Sequence, residues 1–201
     1  MSKYDYEFER VNAYCYPDSF VLRNKLDIRD GAVLSDLERE ITSTRIQQVL
    51  EYPVKGKLDL KHLCAIHRAV FADIYDWAGE LRTVNIAKGN QFCNYLYLSD
   101  YADRVFGQLK DERYLVKLSP SEIPKRLAYY LSEINVLHPF REGNGRAQRI
   151  FIEYLAQRAG YHVDFSQVDS KEMIEASALS FAKEYDSMIQ MFQRIISPIS
   201  T

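Results

Sequence analysis

Cysteine is scarce in this chain. Its three residues, Cys15, Cys64 and Cys93, are widely spaced and form no CxxC pair, which excludes a disulfide framework and leaves no zinc or redox-dithiol spacing. They are expected as reduced packing residues. Long apolar runs are also missing, and the opening MSKYDYEFER is charged, without the hydrophobic stretch of a secretory leader. Neither a membrane span nor a signal peptide is expected, and the chain reads as cytoplasmic. Nor does charge of one sign dominate: a formal net charge of -2 argues against a surface built chiefly to neutralise phosphate, so nucleic acid is not the default partner. The sequence carries no internal repeat and no low-complexity tract.

What is present is ample core material. With 47% hydrophobic and 27% charged residues over 201 positions, the chain suits one domain with at most a small appendage. The tyrosine-rich residues 1–17, closed by Pro17, read as an N-terminal arm, and residues 18–201 as a single domain. Residues 30–50 carry Leu34, Leu37, Ile41, Ile46, Val49 and Leu50 near helical period, until Pro53 and Gly56 break the run. Asp59 is placed to cap a second helix, in which Leu63, Ile66, Val70, Ile74 and Trp77 recur at three- and four-residue steps up to Gly79. Trp77, beside that stop, is expected as core packing.

Between Arg82 and Leu98 the period changes around the turn-forming Lys88-Gly89-Asn90, which predicts a short hairpin. Ser99 opens a third helix through Val105 and Leu109. A fourth carries Ile123, Leu127, Leu131 and Ile134 on one face; Pro124, tolerated only in a first turn, favours Ser121 over Ser119 as its cap. Residues 144–158 form a fifth, stopped by Gly160, and two more begin near Ser170 and Ser180. The expected fold class is all-α with one hairpin.

Chemistry concentrates in His138-Pro139-Phe140-Arg141-Glu142-Gly143-Asn144-Gly145-Arg146-Ala147-Gln148-Arg149, at a junction between two helices. Gly143 and Gly145 allow backbone conformations closed to other residues, so that N–H groups converge on an anion at a helix start. Arg146 and Arg149, three apart, share a face and oppose the positive end of the helix dipole, which calls for a polyanion to offset them. Glu142 supplies a hard oxygen suited to Mg²⁺. His138, with an ordinary pKa of about 6.5, is suited to deprotonating a hydroxyl near neutrality. His62 and His67, five apart and lacking the HExxH pattern, do not share a helical face, so no zinc site is expected.

The run HPFREGNGRAQR resembles, without a departure, the HPFx(D/E)GNGRxxR motif of the Fic (filamentation induced by cAMP) family of AMP-transferases. The stretch Tyr75-Asp76-Trp77-Ala78-Gly79-Glu80-Leu81-Arg82 looks like the segment before that family's hairpin, and helix order agrees from about residue 18 to about 196. The resemblance implies a Fic-type helical bundle with a hairpin flap, ATP as substrate and Mg²⁺ as cofactor. It makes His138 the general base, Phe140 a buried anchor and Glu142 the metal ligand. Gly143, Asn144 and Gly145 become the anion hole, and Arg146 and Arg149 the grip on the β- and γ-phosphates. Thr83, Val84, Asn85, Ile86, Phe92 and Cys93 fall in the flap that would hold a target segment by strand addition. Arg141, Ala147 and Gln148 fall at variable positions and take no role.

Related enzymes of this fold phosphorylate, transfer phosphocholine or remove AMP, and silent members lose the histidine or the anion hole. Here Gly143, Asn144, Gly145 and Arg146 stand as in AMP-transferring members. The resemblance also implies a partner. Family members are commonly restrained by a helix carrying (S/T)xxxE(G/N), whose glutamate pairs with the second motif arginine, here Arg149. Thr42 to Gln48 offers no glutamate at that spacing, Ser180 to Glu184 is followed by Tyr185, and Pro198 closes the segment after Ile196. A small antitoxin supplying the glutamate in trans is expected, with ATPase subunits of type II topoisomerases as first candidate targets.

Overall fold

The computed structural model describes residues 14–88 and 90–199. Most of the expected N-terminal arm and the Gly89 turn position lie outside the described residues, within which seven α-helices and two small two-stranded sheets occur.

Helix α1, Gly31–Glu51, starts where Asp30 accepts hydrogen bonds from the amides of Ala32 and Val33. Only Leu34, Thr42 and Val49 of it are buried, so it lies on the surface with one edge inward. Helix α2, Leu60–Phe71, is capped by Asp59 as its sequence indicates. It ends eight residues before Gly79, contrary to expectation. The Lys25 amide binds the Ile74 carbonyl and its Nζ binds the Ala72 carbonyl, so acceptors that a longer helix would use are taken by the preceding segment. Ile74 is fully buried all the same, in a turn that mimics helical spacing.

The hairpin is shorter than the sequence indicates: strands β1, Ala87–Lys88, and β2, Asn90–Gln91, pair antiparallel over two residue pairs. Helix α3 is Leu98–Asp111. In α4, Ile123–Leu137, the cap is Glu122 without a side-chain cap bond, and neither serine serves. Ser119 instead donates both its amide and Oγ to the Glu122 carboxylate, which closes the preceding turn. Helix α5, Asn144–Ala159, ends at Gly160 with φ 93°.

Strand β3, Tyr161–Val163, pairs with β4, Ile196–Pro198, in a second sheet that the sequence reading missed. Helix α6 is Ser170–Phe181 and α7 is Asp186–Ile195. The last helix therefore starts at Asp186, because Ser180 is buried inside α6 and Lys183, at φ 64°, breaks the path between the two helices. Helices α4 and α5 form the centre. Leu127, Leu131, Phe151, Ile152 and Leu155 are fully enclosed, with α2, α3 and α7 packed around them.

Candidate active site

The end of α4 delivers His138. It is the C-cap, at φ 44° and ψ 60°, a left-handed conformation rare for a residue with a Cβ, and its amide still donates to the Ile134 carbonyl. That turn lets the chain leave α4 and re-enter α5 within a few residues. The ring sits 3.2 Å, through Nδ1, from the Asn135 carbonyl and stacks on Phe92 at 3.7 Å between centroids. A carbonyl only accepts, so Nδ1 carries the proton in that bond and Nε2 is the basic atom.

The loop between the helices is braced at each step. Asn144 returns its side chain to Phe140, Oδ1 accepting from the Phe140 amide at 2.9 Å and Nδ2 donating to its carbonyl at 2.7 Å. Its side chain thus closes the loop, and its backbone amide opens α5. Phe140 is fully buried, as expected of an anchor. Gly143 has φ 78°, and a Cβ there would lie 2.3 Å from the Phe71 ring, so glycine is required twice over. Gly145 differs from expectation: its φ is not positive, and a Cβ would meet Arg149 only at 3.5 Å. What it contributes is a bare first turn on the cavity wall.

His67, which the sequence reading set aside, is central here. It is fully buried between Phe140 at 3.9 Å and Phe71 at 4.5 Å. Nδ1 accepts from the Gly79 amide, which fixes the tautomer, and Nε2 donates to the Glu142 carbonyl at 2.9 Å. Burial first, then the nearby Arg146 charge, outweigh the Glu142 bond and hold its pKa down to about 3, so the ring is neutral. Its spacing from His62 gave no hint of this role, because the partner lies 75 residues away.

The two motif arginines do not act as the pair that their spacing suggests. Arg149 lines the cavity. Arg146 turns to α1: Nη2 donates to Glu38 at 2.6 Å and Nη1 to Thr42 at 3.0 Å, while its guanidinium lies 4.6 Å over the Phe71 ring. Tyr75 donates its hydroxyl to the other Glu38 oxygen. Arg146 is also 3.6 Å from Glu142, whose Oε1 accepts from the Gly143 amide. The described residues contain no cluster of three metal-ligating side chains. A single half-buried carboxylate suits a cation that draws its other ligands from phosphate and water, as Mg²⁺ does.

Together these elements enclose a cavity of about 460 Å³, with His138, Glu142, Asn144, Gly145 and Arg149 on its polar side. Ile86 and Phe92 of the flap reach it, whereas Thr83, Val84, Asn85 and Cys93 form the flap's base. The apolar side is Met173, Ile174, Ala178 and Phe181 of α6, which the sequence reading assigned no role. The only signal for it was apolar surplus: Ile174 is 54% exposed on a helix with few buried residues.

A helix start with bare amides, two arginines, a carboxylate and an oriented imidazole around one half-apolar cavity define a nucleotide-handling helical protein. A family model, the Fic/DOC family, matches residues 57–156. The chain is 40% identical over 191 residues to a Fic protein of Salmonella typhimurium, covering 94% of each. It is also 40% identical over 182 residues to Protein adenylyltransferase VbhT of Bartonella schoenbuchensis, covering 90% of this chain and 38% of that longer protein. The N-terminal Fic domain of a VirB-translocated Bep effector protein of Bartonella quintana, solved with bound ADP, superposes with a TM-score of 0.89 at 28% identity, over 94% of this chain and 96% of that one. The chain belongs to the Fic/DOC family.

Proposed function

We propose that this chain transfers AMP from ATP onto a Tyr, Ser or Thr hydroxyl of another protein. The observation that carries the reading is the single cavity on which His138, Glu142, Gly145 and Arg149 meet beside a hairpin. His138 Nε2 takes the proton of the acceptor hydroxyl and the oxygen attacks the α-phosphorus. The bond from that phosphorus to the bridging oxygen breaks, so AMP remains as a phosphodiester and pyrophosphate leaves. The amides of Asn144 and Gly145 receive phosphate oxygens, the Gly143 amide joins them only by leaving Glu142 Oε1, and Arg149 takes the terminal phosphate. Arg146 reaches the phosphates only by sharing its charge with Glu38. Glu142 would hold Mg²⁺, which neutralises phosphate charge when bound. The α6 wall takes the base, and the flap presents the acceptor segment by pairing along an open edge.

The test is incubation with ATP and Mg²⁺ followed by mass spectrometry of labelled proteins. An added AMP supports the reading; an added phosphate alone means kinase chemistry, and no addition means a silent module.

The same reading makes the chain a cytoplasmic toxin acting on topoisomerase ATPase subunits, restrained by a small protein whose helix sets a glutamate against Arg149. Restraint in trans is supported by the one internal candidate, Ser180 to Glu184, which straddles the end of α6. Its serine is buried against the Ser177 carbonyl, and its glutamate is exposed beyond Lys183. Co-expression with the open reading frame beside the gene should relieve toxicity. Activation of an inert chain by substituting Glu184 would instead make the restraint internal.

A further inference from the structure

The flap has little to hold its own shape. Its ladder is two residue pairs, Ala87 with Gln91 and Lys88 with Asn90, extended by the Phe92 amide donating to the Ile86 carbonyl at 3.3 Å. A hairpin of that size is marginal alone. Yet it carries Phe92, whose ring lies flat on His138, so the orientation of the imidazole depends on where the flap sits.

One side chain joins these parts. Arg82 is 2% exposed, and among the described residues it forms no ion pair with a carboxylate. Its donors go to three backbone carbonyls instead. Nε donates to His138 at 2.8 Å, Nη1 to Val84 at 2.6 Å on the first limb of the flap, and Nη2 to Cys93 on the second limb, next to Phe92. Its own amide donates to Pro139 at 2.8 Å. A planar fork sets three donor nitrogens apart in fixed directions and reaches each carbonyl with a different one; an ammonium has three donors on one atom and cannot span them. Burial of a cation without a counter-ion is costly, and burial holds its pKa down to about 10, still charged at neutral pH. A residue kept in place at that cost for packing alone would be better replaced by an apolar one.

We propose that Arg82 is a positioning residue that locks both limbs of the flap to the carbonyl of His138, so that the acceptor segment and the general base keep one register. It acts through Phe92 and His138 and touches no reacting atom. The inference rests on the AMP-transfer reading for its purpose, but its geometry can be tested without it.

The test is Arg82→Lys, which keeps the charge and loses the fork. Hydrogen exchange at residues 84–94 should quicken about tenfold or more, against little change in α4 and α5, since at least two hydrogen bonds are lost locally. The His138 ring resonances, shifted by stacking on Phe92, should move toward those of an unstacked histidine; the chain has four histidines, so a His138→Gln variant assigns them. Affinity for ADP should change by less than about twofold, because Arg82 lies off the phosphate side. Unchanged flap exchange and His138 shifts in the folded variant would overturn the proposal, as would exchange that rises equally through α4 and α5. Should the variant fail to fold, the wild type decides: the Arg82 Nε–H must exchange slowly and show scalar coupling across its hydrogen bond to the His138 carbonyl carbon. Exchange as fast as that of surface arginines sinks the idea. Failure of the wild type to bind ADP would count against the nucleotide reading and leave the role of Arg82 standing.

Discussion

Residues 140–144 are braced at every step, from within the loop and from α2: Asn144 clasps Phe140 at both backbone groups, His67 holds the Glu142 carbonyl, and Phe71 fills the space above Gly143. The flap, about twice as long at residues 83–93, has only two ladder pairs of its own and leans for the rest on Arg82, Tyr14 and the Val136 carbonyl. A phosphate chain is the same in every turnover and rewards a fixed cradle. An acceptor segment is a piece of another protein, and an edge that pairs with it works with some give. On the proposed AMP-transfer reading, fixity lies at the nucleotide end and adaptability at the acceptor end.

Substitutions can break that contrast at either side. The largest effect is expected from His138→Ala, which should lower the rate of AMP transfer by about 10² to 10⁴ while ADP binding, followed by calorimetry, stays near wild type. A fully active variant would remove His138 as the base. Gly143→Ala comes next. It forces a Cβ into a left-handed position against Phe71, so urea denaturation should show a loss of about 1–3 kcal/mol together with weaker ADP binding.

The cradle should also respond to acid. His67 has its pKa held down from 6.5 to about 3 by burial, so between those values the unfolded chain binds a proton that the folded one refuses. Its contribution is therefore complete above about pH 6.5 and declines as pH falls toward 3, by up to roughly 1.4 kcal/mol per pH unit. Melting temperatures across that window should fall less steeply in His67→Gln than in wild type; equal slopes would mean that the histidine is not the cause.

Smaller still is Glu38→Gln. It keeps the shape beside Arg146 and removes the competing charge, so ADP should bind about two- to fivefold tighter. Weaker binding would show that Glu38 aims the arginine and does not withhold it. The least change is expected from Tyr14→Phe, which deletes the oxygen that accepts from the Thr83 amide at 3.1 Å. Faster exchange at Thr83 with a stability loss of about 1 kcal/mol or less is the expected result, without effect on ADP affinity.

The parts of this molecule that were legible in its sequence are those whose causes are local. Asp59 and Gly160 mark helix ends through their own side chain or its absence, and the motif from His138 to Arg149 is one unbroken stretch. What was not legible depends on partners far along the chain. Residue spacing put Arg146 beside Arg149, but the carboxylate that turns it away is 108 positions earlier. The second sheet joins segments more than thirty residues apart with no turn between them to announce it. Ser121 had the right chemistry for a cap and lost the position to Glu122, whose carboxylate was already used by Ser119. The wall on α6 carries no motif, only an isoleucine and a methionine where a solvent-facing helix would have had polar residues.

That wall would link the lifetime of the protein to its metabolic surroundings once a ligand rests on it. The cavity joins Ile86 to Phe181, nearly a hundred positions of chain that come together only in the folded state. A ligand that fills it binds the native form alone, and at a hundredfold excess over its dissociation constant adds about 2.7 kcal/mol to the free energy of unfolding. A cell rich in that ligand would then hold a larger and longer-lived pool of the chain than a starved one, through mass action alone.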